Sequence, residues 1–301
     1  MLPFQTIQLS DKPIFDRFLE GNPYRSSDLS FTNLYCWQEK FQTQFVVQDD
    51  WLFIRFQDKK GRNSYLKPIG KSKLADAINI LEKDSVACNC LFQIRGLTQQ
   101  MCEEVEAAMP GKFTYSLNRS VSDYLYTSEK LIHLSGKKLQ SKRNHINRFK
   151  NENQWEYRSL TGNPEALAEC KKMLAEWMEK DAREERDPSL VFDDIATNTM
   201  LDHFDYFGLR GGMICADNKL VAFSLGSPLT ADTFDVHVEK AFTDTHGAYS
   251  IINQQLIEHE AAEFTYINRE DDLGMDSLRK AKLSYQPDIL LEKFVARKKE
   301  I

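Results

Sequence analysis

The sequence predicts an α+β protein built from two similar units. Three observations carry that expectation. The length of 301 residues suits two domains at the usual ~150 residues each. Helical and β-rich runs alternate in a comparable way on both sides of the middle, and the middle itself carries a sharp local charge. A hydrophobic share of 42%, a charged share of 28% and only 13 Gly and 9 Pro exclude a disordered or fibrous chain.

In the first half, amphipathic spacing predicts helices at Lys12–Glu20, Ser30–Lys40, Leu74–Lys83 and Thr98–Ala108. Between them lie β-rich runs at Gln44–Val47, Trp51–Phe56, Leu91–Ile94 and Lys112–Leu117. In the second half a long helix, Pro164–Arg186, starts on a proline that needs no backbone donor, and a shorter one follows near Ala196–Phe204. Strands then follow at Arg210–Ala216, Lys219–Leu225 and Thr233–Glu239, with Asp217-Asn218 as the first hairpin turn. A helix at Ala248–Ala261, a strand at Phe264–Ile267, a helix at Asp276–Leu283 and a strand at Ile289–Ala296 complete the order.

The formal charge of −6, from 39 basic and 45 acidic residues, argues against a globally basic nucleic-acid protein. Locally the picture changes. Seven Lys or Arg face one acid between Glu129 and Lys150, whereas ten acids face three bases between Glu176 and Asp205. The basic segment marks the expected seam, with domains at 1–135 and 136–301. From Leu139 onward it reads as a helix with Leu139, Ile146 and Phe149 on one stripe. Lys138, Lys142, Arg143 and Asn144 are then free to meet a phosphate.

Six dispersed cysteines, with one C-x-C pair and no C-x-x-C, read as reduced packing residues, and the six dispersed histidines give no metal-ligand spacing. No resident metal or cofactor is expected. Met1–Ser10 carries no signal-peptide pattern and no run approaches the ~20 apolar residues of a membrane span, so the expected location is cytoplasmic. Nothing in the sequence sets the oligomeric state.

Strand Thr233–Glu239 alternates strictly, so Asp235, His237 and Glu239 share one face. A histidine between carboxylates suits a general base, and these three are the candidate catalytic residues. Lys240 follows directly. The turn Gly247-Ala248-Tyr249 opens the next helix, whose unpaired N–H groups could hold a phosphate or carbonyl oxygen. Beyond the strand at Phe264–Ile267, Asn268, Arg269, Glu270 and Asp272 leave together, with Arg279 and Lys282 on the following helix. Sheet order brings them toward the same end as the Asp235–Glu239 face, where ligands bind.

Two helices, a three-strand meander, then helix, strand, helix and strand is the element order of the GNAT acyltransferase fold. Three stretches are more specific: Gly136-Lys137-Lys138-Leu139 through Phe149, His237 to Ala241, and Asn268 through Pro287. With Ser30-Phe31-Thr32-Asn33-Leu34-Tyr35 and Trp37, they resemble an uncharacterised bacterial family related to the C-terminal catalytic region of phosphatidylglycerol lysyltransferase. The resemblance implies two tandem GNAT-like domains, an arrangement shared with Fem-type peptidyl transferases that use aminoacyl-tRNA. It also implies an acyl- or aminoacyl-group transferase acting from a phosphate-bearing donor, aminoacyl-tRNA or acyl-CoA. The acceptor would be an amine or hydroxyl, on a lipid headgroup or a peptide. Two other classes stay open: a non-catalytic module that grips RNA or an anionic headgroup through Glu129–Lys150, and an ordinary acyl-CoA acetyltransferase.

Overall fold

The computed structural model describes residues 1–58, 60–181 and 191–299. They form two compact units, Met1–Asp123 together with the chain from Leu291 onward, and Tyr124–Leu290. The expected boundary at 135/136 therefore moves to 123/124, and the expected C-terminal domain loses its last segment to the first unit.

The first unit runs β1 (Gln5–Thr6), α1 (Lys12–Leu19), α2 (Phe31–Cys36), α3 (Gln38–Phe41), β2 (Gln44–Gln48), β3 (Trp51–Gln57), β4 (Asn63–Tyr65), β5 (Ile69–Gly70), α4 (Leu74–Ala87), β6 (Gln93–Leu97), α5 (Gln99–Ala108) and β7 (Phe113–Leu117). The second opens with β8 (Asp123–Thr127), α6 (Ser128–His133), α7 (Gln140–Glu152), β9 (Trp155–Ser159), α8 (Pro164–Asp181) and α9 (Val191–Asp202). It continues through β10 (Arg210–Ala216), β11 (Lys219–Thr230), β12 (Thr233–Ala241), α10 (Ala248–Glu260), β13 (Tyr266–Asn268), α11 (Asp276–Leu283) and β14 (Ile289–Leu291), and β15 (Phe294–Lys298) rejoins the first unit. The far end of the helix expected to Arg186 lies outside the described residues, as do several acids of the 176–205 run.

The two sheets repeat one plan. In the first, the antiparallel meander β2–β3–β4 meets β6 in parallel, with Tyr65 opposite Ile94. In the second, the meander β10–β11–β12 meets β13 in parallel, with Asp235 opposite Asn268. Each sheet also admits a strand from a distant part of the chain: β15 lies between β6 and β7, and β8 between β13 and β14. The expected α+β pair of GNAT-like units is thus the observed architecture.

The strand expected at Ile289–Ala296 is two strands in two sheets. Between them Lys293, fully buried, sets its Nζ 2.8 Å from Asp123, also fully buried, and 3.0 Å from Asp28. β8 was invisible to periodicity because Asp123 through Tyr126 are all buried, so no polar alternation marks it. The helix expected at Ser30–Lys40 breaks at Trp37, and Ser30 caps its first piece by accepting the Asn33 N–H.

In the second unit, Ala248, Ile251, Ile252, Leu256 and Ile257 of α10 form an apolar stripe in a core shared with Ile146 and Phe149 of α7 and Phe234 and Val236 of β12. α10 starts at Gly247, whose φ is +83°; a Cβ there would stand 2.5 Å from the His145 carbonyl oxygen. Glycine is required both by the backbone and by the close approach of α7. Among the described residues no helix is long and apolar enough to cross a membrane.

Candidate active site

β12 and β13 pair over only three residues, ending at Asp235 and Asn268. β12 continues to Ala241, while the chain leaves β13 at Arg269. The strands part there, and the polar side chains gather beside the parting.

One network centres on His237. Its Nε2 lies 2.8 Å from the Ser227 hydroxyl, and its Nδ1 lies 3.0 Å from Glu270 Oε1 and 3.6 Å from Asp235 Oδ2. A carboxylate at Nδ1 fixes the tautomer: Nδ1 carries the proton and Nε2 accepts from Ser227. The side chains of His237 and Asp235 are fully buried, so Glu270, at 22% exposed, is the member that meets solvent. Glu270 holds a left-handed backbone, φ +55°, which costs a side-chain-bearing residue about 1–2 kcal/mol. Asn268 offsets this by accepting the Glu270 N–H at 2.7 Å, which aims the carboxylate at His237. Ligand atoms of Asp235, His237 and Glu270 lie within 4.8 Å of one another, close enough for a cation. The two carboxylates also face the Nδ1–H, at 3.0 Å from Glu270 and 3.6 Å from Asp235.

A second network centres on Glu239. Arg269 reaches it with Nε at 3.1 Å and Nη2 at 2.5 Å, and Asn253 of α10 donates at 2.8 Å. Burial works against the Arg269 charge, but Glu239 outweighs it and holds the guanidinium protonated beyond its usual range. The guanidinium lies 4.7 Å from the centre of the Tyr285 ring and 5.7 Å from that of Tyr126, and Lys142 Nζ lies 4.2 Å from Tyr285. Burial, with the Arg269 charge, pulls the Lys142 ammonium below its ordinary pKa. Two buried atoms here have no hydrogen-bond partner among the described residues: Arg269 Nη1, a donor, and Asn253 Oδ1, an acceptor. Each can still make one hydrogen bond.

The remaining expected residues have other tasks. Arg279 makes a two-point bond to Asp272, at 2.8 and 3.1 Å, and Tyr124 donates to the same carboxylate at 2.6 Å. Lys282 Nζ donates to the carbonyls of Arg269 and Asp271, fixing the loop that carries Arg269 and Glu270. Arg143 donates to the carbonyls of Leu134 and Gly136 and so caps α6. Lys240, buried, points away from Glu239 to Asp193 and the Trp177 ring. Lys138 and Asn144 are exposed, as is Tyr249, while Ala248 is buried in the core. Ser227, Asn253, Tyr126 and Tyr285 join the site without having been singled out. Asn253 had a sequence signal: it is a polar residue inside the apolar stripe of α10.

Burial raises the Asp272 carboxyl, but Arg279, Tyr124 and the Gly274 N–H together pull it down to about 2. A depressed carboxylate stabilises the fold above its unfolded pKa near 4 and loses that stabilisation as pH falls toward 2. Asp272→Asn should cost about 2 kcal/mol at pH 7, with the difference from wild type shrinking below pH 4. Denaturant titrations at pH 7 and pH 3 check this.

Paired meander-plus-parallel units, with a buried histidine network beside a buried guanidinium in the second, define a tandem GNAT-like fold. The chain belongs to the family described as phosphatidylglycerol lysyltransferase, C-terminal, whose model matches residues 22–297. A conserved protein of unknown function from Bacteroides thetaiotaomicron is 38% identical, with a TM-score of 0.91 over 99% of this chain and 100% of that one. The fold is shared with L-PGS from Bacillus licheniformis, TM-score 0.65 at 16% identity over 97% of this chain and 93% of that chain. An uncharacterized protein of Mycoplasmoides gallisepticum is 24% identical over 60% of this chain and 58% of its own length.

Proposed function

We propose that the chain transfers an acyl or aminoacyl group from aminoacyl-tRNA or acyl-CoA to an amine or hydroxyl, with no resident cofactor. The observation that carries this reading is the junction of the two networks. The consecutive residues Arg269 and Glu270 serve, respectively, the Glu239 network with its orphan N–H and the Ser227–His237 pair.

In this reading the acceptor's proton passes to Ser227 Oγ as the serine proton passes to His237 Nε2, and Glu270 with Asp235 stabilises the imidazolium. The acceptor's lone pair forms the new bond to the donor's carbonyl carbon. The carbonyl oxygen takes the developing negative charge opposite Arg269 Nη1. Collapse breaks the bond to the leaving oxygen or sulfur, which recovers the proton by the same route. Lys142 would receive donor phosphate; the expected cradle at Gly247-Ala248-Tyr249 is not open to it, because the Ala248 and Ser250 N–H groups already donate to the Thr245 and Gly247 carbonyls at 3.2 and 3.0 Å. The family description supports a lysyl donor and a phosphatidylglycerol-like acceptor.

The test offers radiolabelled lysyl-tRNA, alanyl-tRNA and acetyl-CoA in turn, with phosphatidylglycerol vesicles as acceptor. One donor should give product. His237→Gln and Ser227→Ala should each lower kcat by roughly 10²-fold or more. Full activity in folded His237→Gln removes the proposal.

A second reading is favoured by one observation. Lys137 and Lys138 are exposed and have no ion pair among the described residues. If the chain is a binding module, RNA affinity should fall steeply with salt and no donor should turn over.

A further inference from the structure

The first unit contains a cavity of about 590 Å³ that occupies the same topological position as the candidate active site in the second. In each unit a short parallel pair ends and its strands part. Tyr65 and Ile94 are the paired residues in one, and Asp235 and Asn268 the last paired residues in the other. Counting outward from these pairs places Arg95 where the second unit has Arg269, and Gly96 where it has Glu270. The backbones agree as well: φ is +69° at Gly96 and +55° at Glu270. On the partner strand, Lys67 stands two residues past Tyr65, where His237 stands two past Asp235.

The differences are chemical. The histidine has become a lysine and the carboxylate beside it has become a glycine, so this unit lacks the proton-accepting pair. The arginine remains, and here it lines a cavity. Gly96 also keeps the space clear, because a Cβ there would stand 2.6 Å from Asp28 Oδ2. We infer that this cavity binds a small ligand bearing an oxyanion on an apolar body, without transforming it.

Three observations set that ligand class. Arg95 is largely buried and spends Nη1 on Asp58 at 3.1 Å, with no other hydrogen bond among the described residues, so one guanidinium edge is left for a carboxylate or phosphate. Lys67, paired with Glu104 at 2.7 Å and donating to the Tyr24 hydroxyl at 3.0 Å, is a second cation in the lining. The acid that does line the interior, Asp28, is neutralised by Lys293 at 3.0 Å. At the rim, exposed Arg17 and Lys71 balance exposed Glu20 and Asp50, so the interior decides the sign. Phe18, Leu29, Leu66, Ile69 and Met101 supply apolar wall.

The test is calorimetric titration of the full chain with n-hexyl phosphate, hexanoate and hexanol. At least one of the two anions should bind saturably, and hexanol about tenfold or more weaker. The comparison of the two anions separates a phosphate source from a carboxylate source. Arg95→Gln, which removes the guanidinium edge, and Ile69→Trp, which fills the cavity without touching an ion pair, should each weaken binding about tenfold or more. His237→Gln, in the other unit, should leave it unchanged. The inference is overturned if neither anion binds, if hexanol binds as well as they do, or if binding survives Ile69→Trp. Loss on His237→Gln with retention in Arg95→Gln overturns it too.

Discussion

Deleting residues 291–301 should leave the first unit unfolded, although the deletion removes none of the strands from β1 to β7. β15 is hydrogen-bonded on both edges, to β6 through Phe294, Ala296 and Arg297 and to β7 from Phe294 to Lys298. Its loss strands both neighbours and removes Lys293, leaving the Asp123 carboxylate buried without its cation. Domain stabilities of about 5–15 kcal/mol do not survive the loss of an interior strand. For the same reason a fragment of residues 1–135 should not fold. The milder change Lys293→Met should cost about 3–5 kcal/mol, and pairing it with Asp123→Leu should recover part of that. Limited proteolysis and circular dichroism of the deletion, and denaturant titration of the point variants, check these expectations. A protease-resistant first unit in the deletion would contradict them.

Glu239→Ala should destabilise the second unit by about 3–5 kcal/mol and, on the proposed function, stop transfer as well. The sequence alone suggests a loss of activity at an unchanged thermal midpoint, because a carboxylate lining a cleft has nothing structural to do. The structure changes that expectation: Glu239 is the anion that keeps a largely buried Arg269 charged. Glu239→Gln keeps the shape and the Asn253 contact and should lose less stability than activity. Adding Arg269→Met to Glu239→Ala should restore much of the stability and none of the activity. Urea titrations of the single and double variants separate the two effects, and an unaltered midpoint for Glu239→Ala would show that Arg269 finds another partner.

The element order of both halves was readable because each helix and meander strand carries its own period. The alternation of Asp235, His237 and Glu239 was readable on the same ground. What escaped was whatever depends on distant pairing. β8 is buried on both faces and β14 and β15 run together in sequence, so nothing local shows that they belong to different sheets. Ser227 reaches His237 across a bulged strand pair, and Tyr126 and Tyr285 meet Arg269 from far along the chain. Charge density was legible but its use was not. Of the cations in the basic segment, Arg143 closes the end of α6 and Lys142 alone faces Tyr285, because proximity to backbone carbonyls and rings is a property of the folded chain.

The placement of β15 between β6 and β7 has a consequence for how the protein is made. When the ribosome has finished β7, the first sheet has a vacant lane with unpaired N–H and C=O groups on both sides, and the residues that fill it are a whole second unit away. At about 5–20 residues per second the lane stays open for on the order of ten to thirty seconds. During that time the β6 and β7 edges are templates for any extended segment nearby. The first unit to be synthesised is therefore the last to be completed, and its vulnerable period is set by the rate of translation.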